Sequence, residues 1–334
     1  MKYNFLGDTE LEVSKVILGC MSFGSPNWRE WVIGSDQSMR LMKKAFDLGI
    51  NFFDTANVYS SGKSEEILGR FLKENNLRDQ IIVSTKMFYP SPETPNLIGL
   101  TKENILSSID GSLKRLNVER IDLYQVHRWD TKTPIEETMD ALHQVIKSGK
   151  ARYIGASNMR CWQLAKAQIV AKEQGWQGFV CMQNHYNLLH REDERDLIPF
   201  IKDQGMGLIP WSPLARGRIA RAGSKSAKTE RGSEDENVQN ILYGDTYDPV
   251  LDDVVFIAKK YNIKPAEVGI SWLIHKGANP IIGVTKENHL LDAISATVHD
   301  LVDDDFIKLE RSYTPRKISE LPWSPKEIED PRRD

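Results

Sequence analysis

Cysteine is scarce in this chain: Cys20, Cys161 and Cys181 stand alone and form no CxxC pair. Scattered thiols of this kind exclude the disulfide framework of a small secreted protein and point to a reducing compartment, the cytoplasm. No apolar run approaches the length of a membrane span. The start, Met1-Lys2-Tyr3-Asn4-Phe5, has no apolar stretch of the signal-peptide type. No large charge of either sign accumulates, since the formal net charge is −3. That balance argues against nucleic acid or anionic membrane as the main partner. No His, Asp or Glu pair has convincing ligand spacing, so no metal is expected. A glycine-rich dinucleotide turn is also missing: the first strand of the main alternation runs into Leu18-Gly19-Cys20-Met21-Ser22-Phe23-Gly24, which is not GxGxxG.

What is present is an alternation. Short apolar runs of strand type fall at Val16–Leu18, Phe52–Asp54, Ile81–Thr85, Ile121–Val126, Tyr153–Ala156, Val180–Gln183, Gly207–Trp211 and Pro280–Ile282. Amphipathic helical patterns lie between them, near Gln37–Leu48, Ser64–Asn75, Lys102–Leu116, Ile135–Ser148, Cys161–Gln174, Glu194–Gln204 and Pro265–His275, with a last one near Glu287–Ala293. Eight such strands predict a parallel sheet closed as a (β/α)₈ barrel, and 334 residues suit that size. A doubly wound sheet is the competing architecture, and the missing glycine turn counts against it. No linker interrupts the pattern, so residues 1–334 are read as one domain.

Four additions decorate the barrel. Gly7-Asp8 is expected to turn a hairpin between Tyr3–Phe5 and Leu11–Val13, placed to plug the barrel's bottom. Residues 218–247, rich in Arg, Lys, Gly, Ser and Glu, read as a long loop on the cofactor side. Asp248–Asn262 reads as an extra helix, and 314–334 as a C-terminal tail.

Polar residues gather at the predicted strand ends. Asp54 closes the second barrel strand in Asn51-Phe-Phe-Asp-Thr-Ala-Asn-Val-Tyr59, Lys86 the third, and His127 the fourth. The C-terminal ends of barrel strands form the active face, and adjacent strands bring these three groups together. Tyr59, on the loop after Asp54, is placed to lean over the same mouth. Singly, each has an ordinary alternative: a helix cap, a packed aromatic, a solvated lysine, a structural histidine. Jointly, they suit carbonyl reduction. Tyr59 would supply the proton, Lys86 would lower the tyrosine's pKa, Asp54 would hold the lysine, and His127 would orient the substrate oxygen. Trp28, Trp31 and Trp129 flank the same mouth as candidate walls for an apolar or aromatic substrate.

These segments resemble the aldo-keto reductases, across residues 3–313. The similarity is carried by Asn51-Phe-Phe-Asp-Thr-Ala-Asn-Val-Tyr-Ser-Ser-Gly-Lys-Ser-Glu-Glu-Ile-Leu-Gly69, by Leu113-Lys-Arg-Leu-Asn-Val-Glu-Arg-Ile-Asp-Leu-Tyr-Gln-Val-His127 and by Gly149-Lys-Ala-Arg-Tyr-Ile-Gly-Ala-Ser-Asn158. The resemblance implies a catalytic tetrad of Asp54, Tyr59, Lys86 and His127, and NADPH as cofactor. It implies that Ser157, Asn158 and Gln183 hold the nicotinamide carboxamide and that Trp211 stacks on the nicotinamide ring. It assigns Ser212, Leu214, Arg216 and Gly217 to the pyrophosphate loop, and Met21, Gly283, Thr285, Lys286 and His289 to the remaining grip. His289 and Ala293 depart from the Arg or Gln and the Asn that many members carry there. Relatives with similar His-Arg-Trp-Asp130 and Gly-Val-Thr-Lys286 segments act on varied aldehydes, ketones and hemiacetals. Two other functions stay open: a Schiff-base lyase using Lys86 as nucleophile, and a weakly catalytic regulatory subunit that binds NADPH.

Overall fold

The computed structural model describes residues 1–224, 242–243 and 248–316. The expected loop 218–247 and tail 314–334 therefore lie mostly outside the described residues. Strands β1 (Tyr3–Phe5) and β2 (Glu12–Ser14) form an antiparallel hairpin. Eight further strands pair in parallel: β3 (Ile17–Gly19), β4 (Phe52–Asp54), β5 (Ile82–Met87), β6 (Ile121–Val126), β7 (Ala151–Ser157), β8 (Cys181–Gln183), β9 (Gly207–Leu208) and β10 (Ile281–Gly283). Their order is β10-β3-β4-β5-β6-β7-β8-β9. The open side between β9 and β10 is bridged by Asn279 N to Leu208 O and Ile281 N to Pro210 O, both 2.9 Å. The sheet thus curls into the expected (β/α)₈ barrel.

Helices α1 (Ser35–Asp47), α2 (Lys63–Asn75), α3 (Lys102–Leu116), α4 (Ile135–Lys147) and α5 (Cys161–Gln174) follow successive strands, and α6 (Leu197–Asp203) follows β8. Past β9 come α7 (Val250–Tyr261) and α8 (Pro265–His275), then β10, α9 (Glu287–Ala296) and α10 (Asp303–Arg311). Their apolar faces close over the barrel wall, burying such residues as Phe53, Phe71, Leu142 and Trp272. Several helices stop on a left-handed residue, Asn76, Asn117, Asn262 or Gly175, which turns the chain back toward the sheet.

Two elements differ from the sequence expectation for identifiable reasons. The strand expected over Gly207–Trp211 is regular only at Gly207–Leu208. Pro210 has no N–H to give, although Ile209 N and Trp211 N continue the bonding to Met182 O and Asn184 O at 3.0 and 2.9 Å. The helix expected from Glu194 begins at Leu197, which puts Pro199 in the first turn, where its missing N–H is harmless. A short 3-10 turn over Glu192–Arg195 precedes it. The helix α10 went unread.

The hairpin seals the bottom of the barrel. Leu6, Leu11 and Val13 pack with Ile17, Phe52, Leu123, Cys181 and Ile209 in an apolar cluster separate from the outer core. Asp8 N bonds Gly205 O at 2.7 Å. Gly207 has no room for a side chain, because a Cβ there would meet Leu6 Cδ1 at 2.4 Å. Leu6 thus sits directly against the floor of the barrel. The Leu6→Ala variant should lose about 2–4 kcal/mol of stability, read as a lowered midpoint in urea unfolding. An unchanged midpoint would show that the hairpin does not hold the floor.

Candidate active site

Register decides which polar groups meet. Asp54 ends β4 opposite Ser84 of β5, and Lys86 of β5 lies opposite Gln125 of β6. Side chains alternate along a strand, so Ser84 and Lys86 point to the same side. That side is the barrel interior, where Asp54 becomes the common acceptor. Its Oδ2 takes a bond from Lys86 Nζ at 2.6 Å. Its Oδ1 takes bonds from Ser84 Oγ and Gln125 Nε2, both at 3.0 Å, and from Gln183 Nε2 at 3.3 Å. Lys86 Nζ also donates to Thr55 O at 2.6 Å. Lys86 is 0% exposed and Asp54 2%.

Tyr59 reaches this pair from a tight turn. Ser60, Ser61 and Gly62 follow it with φ of 50°, 51° and 86°, three left-handed residues in succession. The turn is clamped on one side by Ser25 N donating to Ser60 Oγ at 3.0 Å. On the other it lies against Arg115, whose Cδ would be 2.7 Å from a Cβ on Gly62. Arg115 is itself buried and paired with Glu65 at 2.7 Å, and Glu65 accepts from Thr85, the neighbour of Lys86, at 2.6 Å. Lys86 Nζ lies 4.9 Å from the Tyr59 ring centroid. His127 stands edge-on to Tyr59, 5.9 Å between centroids, with Tyr89 on it in the same manner at 5.4 Å. The backbone of His127 is fixed by His127 N to Met87 O at 2.9 Å and by Asn158 Nδ2 donating to His127 O at 3.0 Å.

Electrostatics refine the division of labour. Burial pulls the Lys86 ammonium toward release of its proton, but Asp54 and Tyr59 outweigh it, and its pKa lies above the ordinary lysine value. Burial and the cations of Lys86 and Arg128 push His127 well below the usual imidazole range, so it is neutral near pH 7. Its Nδ1 is buried with no partner. Tyr59 corrects the expectation. Lys86 does draw its pKa down, but burial outweighs that pull and the phenol sits above its ordinary value. Lys86 limits a rise here; it does not produce a net fall.

Asp54, Tyr59 and His127 line a long cleft of about 1910 Å³ over the C-terminal ends of the strands. That exceeds the usual pocket for one small ligand, roughly 300–1,000 Å³, and leaves space for a dinucleotide beside a substrate. Asn158, Gln183 and Trp211 come together on one wall. Trp211 Nε1 donates to Asn158 Oδ1 at 3.0 Å, and Asn158 Nδ2 donates to Ser157 Oγ at 2.9 Å. Ser157 itself is buried beneath Asn158 and does not reach the cleft. Ser212, Leu214, Arg216 and Gly217 line the next stretch, where Ser212, Ala215, Arg216 and Gly217 all have positive φ. Met21, Gly283, Thr285, Lys286 and His289 line the far end, and Trp28, Trp31 and Trp129 the mouth. The donor set fits a nicotinamide dinucleotide: amide groups beside a flat indole, then an arginine on a turning backbone, then a lysine at the start of α9.

Several site residues went unread in the sequence. Ser84 and Gln125 complete the shell around Asp54, and Gln125 carries the one visible signal, an uncharged polar side chain inside a buried strand. Tyr89 packs on His127. Trp162, on the first turn of α5, extends the wall from Trp129 at 5.7 Å and is 55% exposed. His185 and His190 lie behind Trp211. Tyr89, Trp162, His185 and His190 come from loops or helix starts, where periodicity says nothing.

The family model described as "Aldo/keto reductase family" matches residues 15–314. The chain is 41% identical to a Schizosaccharomyces pombe protein named as an aryl-alcohol dehydrogenase, over 95% of this chain and 97% of that one. It is 40% identical to the versiconal hemiacetal acetate reductase of Aspergillus parasiticus, over 95% and 98%. An aldo-keto reductase of Fusarium vanettenii is 38% identical over 95% and 92%. With the barrel, the polar hub at its mouth and these matches in agreement, the chain belongs to the aldo-keto reductase family.

Proposed function

We propose that this chain reduces aryl aldehydes or ketones to alcohols with NADPH, and that Asp54, Tyr59, Lys86 and His127 carry the reaction. The observation that supports this reading most is the convergence of a phenol and a neutral imidazole on the cleft, with a charged lysine buried beside the phenol. A bound nicotinamide cofactor would supply hydride, which no side chain can. The protein's own part is positioning and proton supply. The carbonyl oxygen accepts from Tyr59 Oη and from the neutral His127 ring. As negative charge grows on that oxygen, the Tyr59 proton moves to it, and Lys86 stabilises the phenolate left behind. Asp54 keeps the ammonium in place throughout.

The lyase reading loses support from the same pair. A Schiff-base nucleophile needs a free amine, whereas Lys86 is held protonated against Asp54 at 2.6 Å. Three unpaired cysteines fit a reducing compartment such as the cytoplasm. Among the described residues no helix is long and apolar enough to cross a membrane.

NADPH is preferred over NADH in this reading because Lys286 precedes α9, where a helix N-terminus and a cation favour a phosphate together. His289 adds a hydrogen bond only. Its Nδ1 accepts from Thr285 N at 3.3 Å, and burial and Lys286 lower its pKa, keeping it neutral. The tryptophans Trp28, Trp31, Trp129 and Trp162 suit a flat aromatic substrate.

Three outcomes test this. Tyr59→Phe should lower kcat for an aromatic aldehyde by a factor of about 10³ while NADPH binding, followed by fluorescence titration, stays within twofold. Retained turnover would remove Tyr59 as the acid, and a wild-type chain that binds NADPH yet reduces nothing across a carbonyl panel would favour the regulatory reading. Lys286→Ala should weaken NADPH about tenfold and NADH hardly at all. Trp162→Ala should raise KM for a fused two-ring aldehyde about fivefold and leave KM for benzaldehyde unchanged. Equal effects on both aldehydes would place Trp162 outside the substrate path.

A further inference from the structure

Trp211 is not a lone platform. The imidazole of His185 lies parallel to its indole, with 4.3 Å between centroids and 11° between planes. His190 stacks on His185 in turn, at 4.1 Å and 22°. The three rings form a pile that borders the cleft.

The pile is held square by hydrogen bonds at its edges. Tyr243 Oη lies 2.7 Å from His185 Nε2, and Asn187 Nδ2 lies 3.3 Å from the same nitrogen. Asn187 Nδ2 also donates to Ser212 O, the residue after Trp211, at 2.9 Å. His190 Nδ1 lies 3.1 Å from His185 O. At the rim, the Trp211 N–H is fixed by Asn158, which also holds the backbone of His127. The indole is therefore located from behind by a ring and from the side by the residue that anchors a tetrad member. An aliphatic core would fill the same space but would not define a plane. Burial lowers the pKa of both histidines, so the pile is uncharged near neutrality. Two buried imidazoles are an expensive filling, which calls for a purpose.

We propose that His185 and His190 are positioning residues that set the plane of Trp211 for the nicotinamide ring lying on it. This rests on the NADPH reading above. The two histidines, which also border the cleft, act in this reading through Trp211, by preventing the indole from tipping away from the ring it carries.

The test uses the full chain and two ligands: NADPH, followed by its nicotinamide emission, and adenosine 2′,5′-bisphosphate, which has the adenine and phosphate end but no nicotinamide. His185→Ala should weaken NADPH about fivefold and leave the bisphosphate within twofold. His185→Phe, which keeps a flat ring and loses the hydrogen-bond acceptor, should recover most of the NADPH affinity. His185→Gln, which keeps an acceptor and loses the ring, should not. His190→Ala, one ring further back, should give a smaller loss in the same direction and provides a second reading if a His185 variant folds poorly. The proposal is overturned if His185→Ala binds NADPH as the wild type does, if both ligands weaken equally, or if Gln rescues and Phe does not. A wild-type chain that binds neither ligand would remove the cofactor reading and this proposal with it, a failure visible before any variant is made.

Discussion

A buried ion pair governs the site. Lys86 and Asp54 are shut away from water 2.6 Å apart, an arrangement in which desolvation of each ion opposes the attraction between them. It is tolerable because the remaining valences are filled: Thr55 O takes a second lysine proton, and Ser84, Gln125 and Gln183 donate to the other carboxylate oxygen. Each of those partners comes from a different place on the barrel. The pair therefore demands that β4, β5, β6 and β8 keep their register at the C-terminal end, because a one-residue slip would turn each donor to the outside. In return it holds a full positive charge beneath Tyr59, where any phenolate must form.

The demand extends outward through Tyr59. A phenol in a dry site holds its proton firmly, and Lys86 offsets that tendency without abolishing it. In the proposed reaction Tyr59 is thus a donor that resists ionising at rest and yields its proton only as charge develops on the carbonyl oxygen beside it. The left-handed run at Ser60, Ser61 and Gly62, braced by Arg115 and Glu65, keeps the ring within reach of Lys86. In the proposed reaction, carbonyl recognition and proton supply become a single geometric event.

Much of this was legible in the sequence because barrel strands are short, apolar and punctuated by polar ends. Asp54, Lys86 and His127 could be read from that punctuation, and the hairpin from its turn at Gly7-Asp8. What stayed hidden depended on side chains meeting across the barrel or on loops without period. Gln125 shows only as one polar residue in Ile121–Val126, and nothing in Asn184-His185-Tyr186-Asn187 announces a ring that will stack behind Trp211. The sign of the Tyr59 shift was misjudged for a related reason: residue identities reveal which charges are near, while the depth of burial, here the larger influence, emerges only when the walls are in place.

The first strands and the last described residues stand at opposite poles of the barrel. The hairpin at Tyr3–Ser14 closes the floor, far from the mouth. At the other end, Tyr313 donates to Glu192, and Arg316 donates to Tyr243 O, the residue whose hydroxyl meets His185. These two segments are therefore unequal as handles. A tether on the first residues would leave the mouth facing outward and its furniture undisturbed. Anchoring through the segment around Arg316 would pull on the residues packed behind Trp211.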